Sequence, residues 1–472
     1  MAVALQLQNF GVQKGDRLAI LAENSPLWGV AYFSTVRLGA IAVPILPEMP
    51  ESDVRHILEQ MKVKAVFTTQ RQMEKLSGIK KILEGPVFTL DNFHGIDRIK
   101  AIPFAGYVEE ALEKLRKMYE QPVFPEVEES DIASIIYTSG TSGFSKAVML
   151  SHGNLAANAY AASELAEVKP GSVWLSILPL SHAYEFTCGF ILPFIFGAKI
   201  AYTDKLPTPA ILKKLCSHER PTTIFAVPLI LEKIYKKRVQ PELEKKWWLR
   251  FVCKVGIIRR FIYRKIGRKL TDFFGGNLLF MGIGGAKLNP EVEKFFCEAK
   301  FPYLIGYGMT EAAPLIAGGP LFEPTLAVGS TGKPIPGVDV RIHEPEAKTG
   351  IGEIQIKGPG VMQGYFDDKE RSAEALCADG WLATGDVGFI DNKGNLHVTG
   401  RLKSVIVMPN GENVYPESTE FKLNSSPWVV ESLVVEHKGQ LEAWVYPDYE
   451  QLEEETTDWS REKRLKFLAE CF

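Results

Sequence analysis

The sequence is short of several things, and each shortage removes a class of protein. Its six cysteines, Cys188, Cys216, Cys253, Cys297, Cys377 and Cys471, form no C-x-x-C pair and accompany no histidine cluster. That spacing excludes a zinc site and a disulfide framework and suits a reducing cytoplasm. Long apolar runs are missing too: the longest, residues 190–198, is too short to span a bilayer. The start, Met1-Ala-Val-Ala-Leu-Gln-Leu-Gln-Asn, lacks the basic opening and apolar core of a secretory signal. Nor is there an excess of positive charge; a net charge of −3 argues against a nucleic-acid partner. What remains is ordinary globular material, 46% hydrophobic and 24% charged, in a chain of 472 residues that is too long for one core and reads as two or more domains.

One stretch carries chemistry. Residues 137–146 read Tyr-Thr-Ser-Gly-Thr-Ser-Gly-Phe-Ser-Lys, and the apolar run 132–137 enters them like a buried strand. Gly140 and Gly143 let the backbone curl so that successive N–H groups face an anion. The hydroxyls of Thr138, Ser139, Thr141 and Ser142 add donors, and Lys146 adds a full positive charge. The P-loop of nucleotide hydrolases fails on spacing, because Lys146 follows Ser145 rather than glycine and Ala147 stands where a metal-holding hydroxyl is needed. A flexible surface loop has the same composition, and these residues alone leave both readings open.

Around this stretch, strand and helix alternate. Residues 17–23 and 40–46 read as buried strands separated by a helix from Pro26 to Gly39, and a helix at 56–61 and a strand at 65–68 continue the pattern. This predicts a parallel α/β sheet. Residues 91–130 read as a polar lead-in ending in an acidic run. After a helix through Ala166, a strand at 173–178 delivers His182, Tyr184 and Glu185. A histidine after a strand end either lines a pocket or is held structurally by hydrogen bonds. Further on, a strand over 277–286 ends in Gly284, Gly285 and Ala286, small residues that leave room for a flat ring or chain against the backbone. From Gly329 the pattern turns to short strands, at 337–342, 352–357 and 364–365, which predicts a small antiparallel, barrel-like part. A hairpin at 432–446 follows.

Residues 233–269 hold fourteen Lys and Arg against Glu242 and Glu244, a local charge of +12 that leaves about −15 for the rest. Trp247, Trp248, Phe251, Val252, Val255, Ile258, Phe261, Ile262 and Ile266 recur between them near the spacing of one helical face. Two readings stand: a helix at a membrane surface, with contact through 245–269, or an amphipathic helix packed on the protein with its basic side solvated.

The phosphate-type loop resembles that of the adenylate-forming superfamily, which comprises acyl-CoA synthetases, luciferases and peptide-synthetase adenylation domains and whose usual form is Y-T-S-G-T-T-G-x-P-K-G. Ser142, Ser145 and Ala147 depart from it, the first with its hydroxyl kept. Two distant motifs join it. Gly306-Tyr-Gly-Met-Thr-Glu311 resembles the superfamily's Y-G-x-T-E, and Asp379-Gly-Trp-Leu-Ala-Thr-Gly-Asp386 resembles the fatty-acyl-CoA synthetase signature D-G-W-x-x-T-G-D. Residues 227–235, Val-Pro-Leu-Ile-Leu-Glu-Lys-Ile-Tyr, look like the long-chain fatty-acid branch.

The resemblance implies roles. Loop residues Thr138, Ser139, Gly140, Thr141, Ser142, Gly143 and Lys146 would hold the ATP phosphates. Tyr307 would stack on adenine beside Gly285 and Ala286, Thr310 would bond the α-phosphate, and Glu311 would ligate Mg²⁺. Asp386 would accept from the ribose hydroxyls and Arg401 would contact the ribose, although a surface-turn aspartate has the same look. His182, Tyr184 and Gly284 would line the acyl pocket, and Lys403 would be a hinge. The implied fold is a large α/β N-terminal domain over residues 1–400 of mostly parallel sheets flanked by helices, with the antiparallel barrel-like part at about 329–399. An incomplete small α+β C-terminal domain over 401–472 follows.

The implied activity is a long-chain fatty acid:CoA ligase using ATP and Mg²⁺, with CoA as acceptor, releasing AMP and pyrophosphate. An acyl-carrier-protein ligase and a non-catalytic nucleotide- or acyl-binding relative stand as alternatives. Relatives carry a helical segment before the Gly15-Asp-Arg17 stretch and a lysine near the C-terminus that reaches the reacting carboxylate. The resemblance therefore implies truncation at both ends, mainly the C-terminal one, and impaired adenylation. The expected location is the cytoplasm, with membrane association as an added possibility.

Overall fold

The structure is a computed structural model. It describes residues 1–79, 85–91, 94–96, 99–118, 120, 122–138, 145–204, 207–244, 255–319, 322–324, 326–408, 413–424, 426, 428–437, 440–449, 456, 459–460 and 462–463. The chain divides into two compact units, one of residues 1–340, 356–383 and 392–396, the other of 341–355, 384–391 and 397–472.

In the first unit, short apolar strands buried along almost their whole length stack in parallel, as strands covered by helices on both faces must. The larger sheet has eight strands, in the spatial order Gly364–Tyr365, Lys146–Ser151, Ile132–Thr138, Ile41–Ile45, Arg17–Leu21, Ala65–Thr68, Val87–Thr89 and Ile102–Pro103. From Ile132–Thr138 onward neighbours run parallel, while Lys146–Ser151 and Gly364–Tyr365 are added antiparallel at one edge. A second sheet of five strands is parallel throughout, in the order Lys199–Tyr202, Val173–Ser176, Thr223–Ala226, Phe280–Ile283 and Tyr303–Ile305. A small antiparallel sheet follows, in which Leu315–Gly318 lies between Tyr307–Gly308 and Lys333–Pro334.

Local signals set the helices. Ser25 caps the helix Pro26–Arg37 by accepting from the Trp28 N–H, with proline at the first turn where its missing donor costs nothing. Trp28 and Tyr32 from that helix pack edge-on against Phe186 and Phe190, a knot of rings that is almost entirely buried. Ser151 and Asn154 form a reciprocal capping box at the start of the helix His152–Ser163.

Three expectations change. The polar region 91–130 contains the helix Phe104–Arg116, whose Phe104, Tyr107 and Ala111, three and four apart, are buried. The strand Gly364–Tyr365, expected among the short antiparallel strands, instead edges the eight-stranded sheet. The helix Gly256–Phe273 buries Ile266, Leu270 and Phe273, but Val255, Ile258 and Phe261, expected on the same apolar face, are exposed; residues 245–254 lie outside the described residues.

A four-stranded sheet, most of whose residues belong to the second unit, runs in the order Asp339–His343, Gly352–Lys357, Leu382–Ile390 and Leu396–Arg401. An antiparallel pair, Val429–His437 with Gln440–Pro447, carries the helix Pro416–Asn424 against it. No helix among the described residues is long and apolar enough to cross a membrane.

Candidate active site

Antiparallel pairing of Gly364–Tyr365 with Lys146–Ser151 sets Tyr365 opposite Val148. Side chains two residues apart share a face, so the diagonal neighbour of Tyr365 is Lys146. The Lys146 ammonium lies 3.3 Å from the Tyr365 hydroxyl and 4.8 Å from the centre of its ring. That hydroxyl donates to Oε1 of Glu311 at 2.9 Å, and Tyr365 is 5% exposed, Glu311 6%. Burial, and next to it the Glu311 charge, push the Tyr365 phenol well above its ordinary range, so it remains a donor. Lys146 from one motif and Glu311 from another, far apart in sequence, are thereby joined through one phenol.

The helix His152–Ser163 fixes this arrangement from behind. Asn154 Nδ2 donates to the carbonyls of Pro359 and Val361 at 2.7 and 2.9 Å. One turn on, Asn158 donates to the carbonyls of Ala312 and Leu315 and accepts from the Leu315 N–H. The Met362 N–H donates to the Glu311 carbonyl at 2.9 Å. Gly308 has no alternative: a Cβ there would stand 2.1 Å from the Pro314 carbonyl oxygen.

Thr310 opens the short turn Thr310–Ala312 that holds Glu311, and Tyr307 lies half-buried in the strand just before it. Thr138 ends its strand half-buried. Ser139, Gly140, Thr141, Ser142 and Gly143 lie outside the described residues. Beside Lys146, a cavity of about 250 Å³ is lined by Gln60, Lys146, Tyr365, Asp368 and Arg371.

The room expected over the small residues is partly filled from within the chain. Cβ atoms on Gly282 and Gly284 would lie 2.9 and 3.2 Å from the Tyr184 side chain, so that ring rests on the glycine backbone. Gly285 faces open space, and Ala286 is exposed. Tyr184, Leu165, Cys188, Phe225 and Leu315 close around an apolar cleft of only about 30 Å³. Behind Tyr184, Glu185 is 1% exposed, and burial pushes its carboxyl up to about 8; burial likewise takes the Cys188 thiol to about 12. His182 has one exposed edge, accepts from the Tyr184 N–H at its Nδ1 (3.3 Å), and is held below the usual histidine pKa by the protein packed on its other side.

In the second unit, Arg401 Nε stands 2.9 Å from Asp386 Oδ1. Asp386 is buried and Arg401 exposed, and the Asp386 N–H donates to the Thr384 hydroxyl. Gly385 between them has φ +70, a left-handed turn that glycine takes without strain. Lys403 is exposed in the turn Leu402–Ser404.

A profile described as AMP-binding enzyme matches residues 1–366. The chain belongs to this family. Among relatives of this AMP-binding enzyme, the long-chain-fatty-acid–CoA ligase heimdall of Drosophila melanogaster is 29% identical, over 97% of this chain and 73% of that protein. The long-chain-fatty-acid–CoA ligase FadD15 of Mycobacterium bovis is 28% identical over 92% of this chain and 73% of its own length. Among solved structures, ATP-bound MatB from Rhodopseudomonas palustris superposes with a TM-score of 0.75 at 25% identity, over 98% of this chain and 85% of that one. The o-succinylbenzoate CoA synthetase MenE of Bacillus subtilis, solved with ATP and magnesium, shares the fold with a TM-score of 0.73 at 24% identity, over 97% of this chain and 86% of its own.

Sequence reasoning missed Tyr365, Asn154 and Asn158 in this enzyme. The two asparagines carried a signal, four residues apart on one helix face that is otherwise apolar. Tyr365 carried none, since only the pairing of its strand brings it to Lys146.

Proposed function

We propose that this enzyme activates a long-chain fatty acid with ATP to an acyl-adenylate and transfers the acyl group to the thiol of CoA, releasing pyrophosphate and then AMP. Family membership and the ligase relatives support the reaction class, and the observation that carries the site is the Lys146–Tyr365–Glu311 cluster. In the first half-reaction a substrate carboxylate attacks the α-phosphorus and the pyrophosphate oxygen leaves. Two anions must meet, so the work is charge neutralisation and in-line positioning rather than nucleophilic catalysis by a side chain.

In this reading Lys146 and the hydroxyls and N–H groups of 138–143 hold the phosphates, and Thr310 bonds the α-phosphate. Tyr307, with Gly285 and Ala286, takes the adenine. Asp386 and Arg401 serve the ribose, and Lys403 is the pivot between half-reactions. His182, Tyr184 and Gly284 border the acid. Glu311 suits Mg²⁺: Oε1 is held by Tyr365, and Oε2 accepts no hydrogen bond among the described residues, which leaves one hard oxygen free for a cation that takes its other ligands from phosphate and water. When bound, the ion would neutralise the triphosphate.

The test is hydroxamate trapping of the acyl-adenylate over a panel of carboxylic acids, followed by CoA or acyl-carrier protein as acceptor. The reading expects trapping with long-chain acids and thioester with CoA. Trapping with no acid in the panel defeats it, and thioester with carrier protein alone replaces CoA as the acceptor.

A further inference from the structure

The helix Gly256–Phe273 presents two faces that the site does not use. Ile266, Leu270 and Phe273 face inward, Tyr263 meets the Phe295 ring at 4.9 Å, and Arg259 forms a two-bond ion pair with Glu298 at 2.7 Å. The opposite stripe is unlike a solvated surface. Ile257 is 83% exposed and Phe261 73%, and at about 100° per residue they fall in line with Arg264 and Arg268 within an arc of about 60°. Arg260 and Lys265 flank the arc, and both are exposed. No ion pair among the described residues engages Arg260, Arg264, Lys265 or Arg268, although the chain as a whole is negative and has carboxylates to spare. The helix carries six Lys and Arg and one acidic residue, Asp272. Immediately before it in sequence stand Lys245, Lys246, Trp247, Trp248, Arg250, Phe251 and Lys254, a continuation of the same mixture.

We propose that this stripe docks the enzyme on an anionic membrane surface, with Ile257 and Phe261 entering the boundary between headgroups and acyl chains and Arg260, Arg264, Lys265 and Arg268 on the phosphates. The stripe is convex, so it fits a deformable planar partner. Its aliphatic and aromatic side chains stand out among guanidinium groups, which is how interfacial helices divide their binding between apolar insertion and charge. The inference rests on the reading of the substrate as a lipid acid, which partitions into such surfaces, but the docking itself needs no ATP.

The experiment is co-sedimentation of the whole chain with vesicles of phosphatidylcholine alone and of phosphatidylcholine with phosphatidylglycerol, at low and high salt. Binding is expected to the anionic vesicles only and to weaken with salt. R264Q/R268Q should lower the partition coefficient by about twenty-five-fold, since one basic side chain near an anionic leaflet contributes about five-fold. I257S/F261S should lower it by about tenfold or more while leaving the salt dependence in place. Both pairs are exposed, so thermal unfolding and ATP–pyrophosphate exchange with a water-soluble acid should match the unmodified chain. Equal retention on neutral and anionic vesicles, no retention on either, or unchanged binding by both variants overturns the docking surface. Normal exchange without vesicle binding removes this inference alone, whereas vesicle binding without exchange on any acid removes the proposed reaction and leaves the surface standing.

Discussion

The hydroxyl of Tyr365 donates to Oε1 of Glu311 at 2.9 Å. The bond joins an edge strand of the large sheet to the turn between two strands of the small one, and the Tyr365 hydroxyl also sits 3.3 Å from the Lys146 ammonium. In the proposed site Tyr365 would be a positioning residue, orienting a carboxylate that would hold Mg²⁺ and a cation that would hold phosphate.

Removing only that hydroxyl, with Tyr365→Phe, keeps the ring under Lys146 and frees Glu311 to turn. A hydrogen bond to a charged group contributes about 1.5–3 kcal/mol, so the Mg²⁺ concentration for half-maximal ATP–pyrophosphate exchange should rise about tenfold or more. Tryptophan-fluorescence titration with Mg·ATP should show the same weakening. An unchanged Mg²⁺ dependence would mean the bond is incidental.

Glu311→Gln preserves shape and the contact with Tyr365 while deleting the charge. Exchange should fall by about 10³-fold, the scale of a lost charge stabiliser at a transition state. Survival of exchange at the unmodified rate would remove Glu311 from the metal role.

The ring of Tyr184 fills the space over Gly282 and Gly284, and the apolar cleft it closes measures about 30 Å³. Tyr184→Ala should lower stability by about 3 kcal/mol through the cavity it leaves, and should shift the profile of trapped acids toward bulkier or longer chains. An identical acid profile at full folding would place the acid elsewhere.

Burial takes the Glu185 carboxyl to about 8 and that of Glu293 to about 7. Both are raised above their unfolded values, so the folded chain holds these protons more tightly. Their contribution is fully present below about pH 4.5 and is lost as pH rises through 7 and 8. Glu185→Gln, neutral at every pH, should flatten the decline in melting temperature between pH 6 and about 8.5, leaving the part due to Glu293. A decline identical to that of the unmodified chain would show that Glu185 is not buried as a neutral acid.

Much of the first unit was legible in the chain because parallel strands buried on both faces must be apolar runs, and 17–23, 40–46 and 132–137 are such runs. The helix Phe104–Arg116 was legible in principle through Phe104, Tyr107 and Ala111, but its charged outer face masked the period. The apolar residues of 255–266 looked like one stripe because spacing does not say which side of a helix has a neighbour. Helix Pro290–Ala299 lies against one side, so Ile266 is buried and Phe261 is not.

By itself the sequence determined the residue types available: a Ser/Thr/Gly-rich loop ending in Lys146, a carboxylate at Glu311, an aspartate at 386, and the α/β alternation that carries them. These are properties of residue type and near spacing, which the chain states locally. The tertiary structure alone decided that Tyr365 binds Glu311, that Asn154 and Asn158 brace the backbone just before Tyr365 and just after Glu311, and that Tyr184 occupies the small-residue floor. Such contacts depend on strand register and on which surfaces meet, and both are set by the summed packing of the whole unit rather than by any one stretch of it.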